Sequence, residues 1–340
     1  MTMDTWSMRS YLTVTGAAAL FVLAGAAAAP ATADDGSADR SFTIEDPRIT
    51  ESSGLAASRV HPGIYWTHND SEDGPYVYAV DSRTGKTVAT ITMRGVGAPR
   101  DVEAISLGPD GNLYVGDIGD NLNGSWDHVW IYRFPEPKVL KDATVRATQF
   151  DVKYADGARN AEALMVHPKT GRVYIASKNE DGGGLYEGPA ELSTGRTNVF
   201  RRVGEVPWVT DGAFSPDGKE LVLRSYFSAR GYAFKDGRLG ADHPVHAPLQ
   251  GQSESVTYTA DGSALMFGSE GARSEVVRVD IAGADGSGGD SKSPSKDGGA
   301  SAAGGAGGGD SEVKGSTLVG AVVLAAVGAL VFMNRRRKRG

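Results

Sequence analysis

The 340-residue chain contains no cysteine and only six histidines. It can therefore form no disulfide, no thiolate metal site and no thiol nucleophile, and its stability must come from a core large enough to need no covalent staples. Zinc, which favours nitrogen and sulfur ligands, is disfavoured against cations that bind through oxygen alone. Also missing are a Gly-x-Ser-x-Gly elbow, a His-Glu-x-x-His pair and a glycine-rich phosphate loop followed by lysine, which removes the common routes to serine hydrolysis, zinc proteolysis and nucleotide binding. There is no basic stripe. The formal net charge is -7, and Arg9, Arg335, Arg336, Arg337, Lys338 and Arg339 all sit at the ends of the chain, so what lies between is more acidic still. Such a surface repels phosphate backbones, and nucleic acid is not an expected partner.

The two ends read as targeting and anchoring segments. Residues 1–33 combine Arg9, an apolar run from Tyr11 to Ala29 and the small-residue site Ala31-Thr32-Ala33, the pattern of a secretory signal peptide. Residues 284–314 are Gly, Ala, Ser and Asp with scattered Lys, too poor in apolar surface to offset chain entropy, and read as a flexible linker with a reach of roughly 30 Å. Residues 315–333 carry no charge and approach the ~20 residues that a transmembrane helix needs. The basic tail at 334–340 follows directly, and basic flanks stay cytoplasmic. No Leu-Pro-x-Thr-Gly sequence precedes the apolar segment, so it reads as a membrane anchor rather than a wall-sorting signal. The expected location is the cell membrane, single-pass, with the N-terminal domain outside.

Residues 41–283 are repetitive. A short acidic signature recurs at Glu51, Glu103, Glu162, Asp211 and Glu254, a spacing of roughly 45 to 60 residues, in the range of propeller blades. Each signature is followed by an apolar stretch, a turn and a second apolar strand. The turns include Pro109-Asp110-Gly111, Pro216-Asp217-Gly218 and Ala260-Asp261-Gly262, in which proline presets one dihedral and glycine supplies a positive φ. Second strands are expected at Ile64–Thr67, Leu113–Gly116, Val173–Ala176, Leu221–Leu223 and Ala264–Phe267, and third strands follow in every repeat. Fourth strands are readable in the first three repeats and faint near Val245–Leu249. The last repeat has none of its own, and Ser41–Ile44 is expected to supply it. The expected fold is all-β, a single β-propeller of five blades closed by the N-terminal strand, plus the C-terminal helix. Six blades are the alternative if Asn121–His128 or Asp236–Pro248 hides strands.

Ser215-Pro216-Asp217-Gly218-Lys219 ahead of an apolar strand resembles bacterial WD-repeat-like (WD40-like) propellers. Pro109-Asp110-Gly111-Asn112-Leu113-Tyr114-Val115-Gly116-Asp117 is similar to text in gluconolactonase, paraoxonase and phytase-like esterase propellers. The resemblance spans Ser41 to Gly283. It implies a channel mouth at which acidic and amide residues bind a metal and polarise an ester or lactone, with Glu51, Glu103, Asp117 and Glu162 matching by blade position only. The Glu-Gly-Pro opening of the gluconolactonase-like enzymes reads Glu-Ser-Ser-Gly here.

Hairpin geometry supplies the site expectation independently. The start of a first strand and the end of the second share one sheet edge, so Glu51, Glu103, Glu162, Asp211 and Glu254 should gather with Asp70, Asp117 and Glu270 around one mouth, beside His68, Lys178 and Arg224, with Asp101, Asp120, Asn121 and Asn160 adjoining. Two unit charges ~8 Å apart repel by about 2 kcal/mol at an effective dielectric near 20, so such a ring must hold water, protons, a basic partner or a cation. Calcium suits an oxygen-only donor set. Each acid also has a structural alternative, in which it bonds backbone N–H groups of the adjoining repeat. Asn69-Asp70-Ser71-Glu72-Asp73-Gly74 resembles a calcium loop, but Val80 stands where its last acid should be and an ordinary polar turn is the better reading. The expected function is a membrane-anchored extracytoplasmic propeller binding an unidentified ligand or protein, with calcium, at its acidic mouth. A metal-dependent esterase, lactonase or phosphoesterase is the first alternative and an interaction scaffold the second.

Overall fold

The computed structural model describes residues 39–281 except 72, 123, 180 and 181. The expected signal peptide, linker, transmembrane segment and basic tail lie outside the described residues. The chain divides into two units, Met1–Ser287 and Gly288–Gly340, and only the first contains described residues.

The described residues form 21 strands and no helix. A short strand β1 (Phe42–Thr43) is followed by an antiparallel run β2 (Ser52–Ala57), β3 (Ile64–Asn69), β4 (Tyr76–Asp81) and β5 (Lys86–Arg94). The next run is β6 (Val102–Leu107), β7 (Asn112–Asp117), β8 (Val129–Pro135) and, after the four-residue β9 (Ala143–Arg146), β10 (Thr148–Tyr154). The third is β11 (Ala161–Val166), β12 (Val173–Ser177), β13 (Gly183–Glu187) and β14 (Asn198–Val206). The fourth is β15 (Asp211–Phe214), β16 (Glu220–Arg224), β17 (Ala229–Lys235) and β18 (Arg238–Val245). The fifth is β19 (Ser253–Tyr258), β20 (Ala264–Ser269) and β21 (Glu275–Asp280), completed by β1, with Phe42 opposite Val276. Two parallel pairings at outer edges, β10 with β14 and β5 with β9, merge these runs into sheets of four, eight, four and five strands.

The first strands of the five runs neighbour one another in the order β2, β6, β11, β15, β19, and β19 returns to β2. The core follows that circle. Successive strand residues point to opposite faces, so on β3 Trp66 packs against Val115 and Tyr132 of the following run, whereas Tyr65 packs against Phe42 and Met266 of the fifth. Every interval between consecutive runs is filled in this way by its own apolar cluster. A cavity of about 80 Å³ is lined by residues of all five first strands, among them Leu55, Ile105, Val166, Gly212 and Thr257.

The expected second strands all form, each longer by one or two residues. Gly111 and Gly218 adopt φ values of 71° and 76°, as their turns require. Two features differ from the sequence reading. The fourth strand of the fourth run is β18, not Val245–Leu249: Asp236 and Gly237, with φ of 52° and 77°, make a tight two-residue turn of the kind that matches strand twist. Because β18 is mostly exposed, it carries no apolar alternation to read. The strand within residues 236–248 thus pairs with β17 and completes the fourth run. Strand β9, a short edge strand, had no sequence signal.

Deleting residues 41–48 removes Phe42 and Ile44 from the cluster between the fifth and first runs and leaves the β21 edge unpaired. Burial of two such side chains contributes about 3 to 6 kcal/mol, and at ~2 to 4 °C per kcal/mol in a domain of this size the deletion should lower the calorimetric Tm by roughly 10 °C or cause aggregation. An unchanged Tm would mean that β1 does not close the circle.

Candidate functional site

The recurring acids lie at a defect in the pairing. Registers slip at the start of β2, β6, β11 and β19, and in the fourth run Thr210 and Asp211 both face Arg224. Such bulges re-aim a side chain out of the pleat. Glu103, Glu162, Asp211 and Glu254 occupy this position and are 4%, 2%, 2% and 5% exposed. Aligned on the bulge, the equivalent residue in the first run is Ser53. Glu51 stands two residues earlier, level with Asp101 and Asn160, so the first signature is out of register with the other four. Ser53 instead donates to Glu103 Oε2 at 3.1 Å.

The ends of the second strands bring in the other charges. Asp70, Lys178 and Glu270 directly follow β3, β12 and β20, and each donates its backbone N–H to the residue level with Glu51 in its own run. Lys178 Nζ lies 3.0 Å from Glu162 Oε1 and 5.1 Å from the centroid of the Tyr226 ring. Burial opposes the Lys178 charge, but Glu162, Tyr226, Glu254 and Glu103 outweigh it and raise its pKa. Burial, reinforced by Asp70, Glu162 and Asp101, drives the Glu103 carboxyl well above its usual range. Burial does the same to Glu254, with Lys178 opposing and Glu162 and Glu270 adding.

Asp70, Asp101 and Glu103 converge, with one carboxylate oxygen from each lying within 4.8 Å of the others. Their support is local. Asn121 Nδ2 donates to Asp101 Oδ2 at 2.8 Å, Val102 N donates to the Asp70 carbonyl at 2.8 Å, and Gly119 N to the Asp101 carbonyl at 3.1 Å. A Cβ on Gly119 would stand 2.5 Å from Glu103 Oε1 and 2.7 Å from Asp101 Oδ2. Only glycine leaves room for both carboxylates, and the three acids offer the all-oxygen donor set that hard cations take.

Several residues expected at the mouth serve as braces. Asp117, fully buried, accepts Asp101 N at 3.0 Å, Arg100 N at 3.1 Å and the Tyr132 hydroxyl at 2.6 Å. It holds the segment that presents Asp101 and is outside the three-acid group. Asp120 accepts Ser125 Oγ and Trp126 N. Asp211 Oδ2 accepts Val256 N of the next run at 2.8 Å, the inter-repeat bond of the structural alternative. Arg224 is a strut: it donates to the carbonyls of Ser255 and Gly268, both at 2.6 Å, and to Gln250 Oε1 at 2.7 Å. Burial lowers its pKa to about 10. His68 is buried with Nε2 against the backbone of Gly54, and burial lowers its pKa to about 4. Glu270 accepts from Gln252 Nε2. In the segment that resembles a calcium loop, Asn69 and Asp73 bond each other and nearby backbone. Tyr226, which faces Lys178, was not anticipated. Its position in Ser225-Tyr226-Phe227, just past the second strand of its run, is the signal that could have found it.

No family model matches the chain and no curated protein does. Similar solved structures include a gluconolactonase from Xanthomonas campestris, at 12% identity and a TM-score of 0.42, covering 70% of this chain and 89% of that one. Another is an auxiliary nutrient binding protein from Bacteroides thetaiotaomicron, at 10% identity and a TM-score of 0.40, covering 70% and 59%. A third is Kuenenia stuttgartiensis hydrazine synthase, at 19% identity and a TM-score of 0.36, covering 65% of this chain and 56% of that one. Likeness at this level assigns neither family nor activity.

The bracing role of Asp117 is separable from cation binding. Asp117→Asn replaces one acceptor oxygen by a donor that faces N–H groups, and should cost about 1 to 3 kcal/mol of stability, read from urea unfolding. It should leave Asp101 and Glu103 able to bind calcium. Full stability together with lost calcium uptake would make Asp117 a ligand instead of a brace.

Proposed function

We propose that residues 41–283 form a five-bladed β-propeller that binds a ligand or partner at its acidic mouth, with a calcium-class cation held by Asp70, Asp101 and Glu103. The five-bladed reading is supported by the circular succession of first strands and the apolar cluster in each interval. In the same reading the domain is exported and held at the membrane by residues 315–333, with residues 334–340 in the cytoplasm. The observation that carries the binding function is the convergence of three carboxylates over Gly119. Glu162 has Lys178 beside it, and Asp117, Asp120 and Asp211 accept backbone N–H groups, whereas this group brings three carboxylates together. Hydrolysis of an ester, lactone or phosphoester would need a proton-transfer group beside the cation. His68, the one histidine expected at the mouth, is buried with Nε2 against Gly54, so binding is the better supported function.

The burial that lifts the Glu103 pKa fixes the sign of a pH effect. A carboxyl with a higher pKa folded than unfolded, where it is about 4.3 for glutamate, destabilises the fold as pH rises through that interval and has no effect below it. In chelator, Glu103→Gln should therefore melt higher than wild type at neutral pH and equal to it near pH ~4. In calcium titrations by calorimetry, Glu103→Gln and Asp101→Asn should each lose roughly tenfold or more in affinity, a change of about 1.4 kcal/mol. A wild-type protein that takes up no calcium at millimolar concentration, with a Tm indifferent to chelator, contradicts the cation site.

A further inference from the structure

The segment that presents Asp101 is fastened at a second point. Arg100, its immediate neighbour, lies with its guanidinium between two indoles, the central carbon 4.0 Å from the centroid of the Trp126 ring and 3.7 Å from that of Trp130. Its Nη2 donates to the His128 carbonyl at 3.0 Å, and Nε is buried with no hydrogen-bond partner among the described residues. A guanidinium is planar, weakly hydrated and suited to stacking on aromatic faces. The rings thus hold this one without drawing a carboxylate out of the three-acid group.

The two indoles are held in different ways. Trp130 stands on β8, which is paired on both sides, with β7 and β10, and its Nε1 donates to Asp151 Oδ1 at 3.0 Å. Trp126 is half-buried in the connection between β7 and β8. Asp120 gathers that connection by accepting Leu122 N at 3.3 Å, Ser125 Oγ at 2.9 Å and Trp126 N at 2.7 Å, and its own N–H donates to Asn160 Oδ1 at 2.8 Å. Gly119 and Asn121, the two residues that shape the acid group, flank Asp120. Through Trp126, Arg100 therefore joins the connection that shapes the site to the segment that carries Asp101.

We infer that Arg100 is a positioning residue for the three-acid site, its stack with Trp126 and Trp130 fixing Asp101 against Asn121 and Gly119 before a cation arrives. The inference rests on the cation reading of the site and adds to it a residue outside the donor set. Donors that are already in place need no ordering when the ligand binds, so affinity depends on what holds them. Charge gives the inference a distinctive sign. Arg100 is positive and adjoins Asp101, so on Coulomb grounds alone its removal should tighten cation binding. If its office is to hold the donors, removal should weaken binding in spite of the relieved repulsion. A stack that serves the fold alone would change stability and leave affinity as it was.

The test is calorimetric titration of calcium chloride into the purified full-length chain, with urea unfolding in chelator read alongside. Arg100→Met, which keeps side-chain length without charge or planarity, should bind calcium at least roughly tenfold more weakly than wild type, the lower end of what loss of an outer-shell partner does to a metal site. Trp126→Leu should weaken binding likewise, and Trp126→Phe, which restores an aromatic face, should recover most of the loss. Unchanged or tighter binding in Arg100→Met overturns the inference, as does a loss in Trp126→Phe equal to that in Trp126→Leu. Should Arg100→Met fail to fold, the two Trp126 variants decide the matter: lowered urea stability with wild-type affinity in Trp126→Leu reduces the stack to a structural contact and overturns the positioning role. Wild-type uptake of calcium with all variants unaffected overturns this inference alone, whereas no uptake by wild type at millimolar calcium overturns the cation reading and this inference with it.

Discussion

Like charges crowded at one end of a closed ring of strands set the terms for the rest of this molecule. Four carboxylates at equivalent bulges are almost wholly buried, and the ion pair between Lys178 and Glu162 is what makes that arrangement tolerable on one side. Removing one partner of a buried pair typically costs about 3 to 5 kcal/mol, because the survivor is left charged and desolvated. Here the survivor would also face Glu103 and Glu254, both already lifted by burial. One lysine does not neutralise the mouth, where the carboxylates of Asp70, Asp101 and Glu103 converge.

The acids have divided their labour by position around the ring. Asp211 ties its run to the next through Val256 N, and Thr210 does so through the Glu254 carbonyl at 2.9 Å. Arg224 reinforces the same junction with its two carbonyl bonds. Between the first and second runs the corresponding link is made by a neutral residue, Ser53, which reaches the Glu103 carbonyl and carboxylate. Where a backbone N–H takes up the carboxylate, the acid is a structural bond. Where the bulge turns it toward other acids, it becomes a candidate ligand. The cavity of the ring is lined by later residues of the same strands, so the acids and the cavity occupy different stretches of each first strand.

Much of the architecture was legible because it depends on local chemistry. The Asp-Gly turns and the alternating Tyr, Val and Ile of the second strands specify hairpins without tertiary information, and the partner for β21 could be found by noticing that the last repeat lacks a fourth strand. Strand β18 was not legible, since an exposed edge strand needs no apolar face, and β9 is four residues held by one parallel pairing. The mouth was legible as a collection of residues but not as a set of roles. Sequence spacing placed Asp117 beside Glu103, yet its engagement with Arg100 N, Asp101 N and Tyr132 depends on how one loop folds back. The slip of two residues that puts Ser53 in place of Glu51 is visible only when strands are aligned by their bulges. The stack of Arg100 on Trp126 and Trp130 joins segments that no periodicity connects.

The central claim is that burial of like charge, relieved by bound cations, governs the mouth. Carbon-13 NMR titration of the Glu103 and Glu254 side-chain carboxyls in chelated protein measures it most directly. The account predicts that both titrate well above the usual glutamate range, and that added calcium returns Glu103 toward that range while moving Glu254 less. Ordinary titration of both carboxyls in the cation-free protein would contradict it.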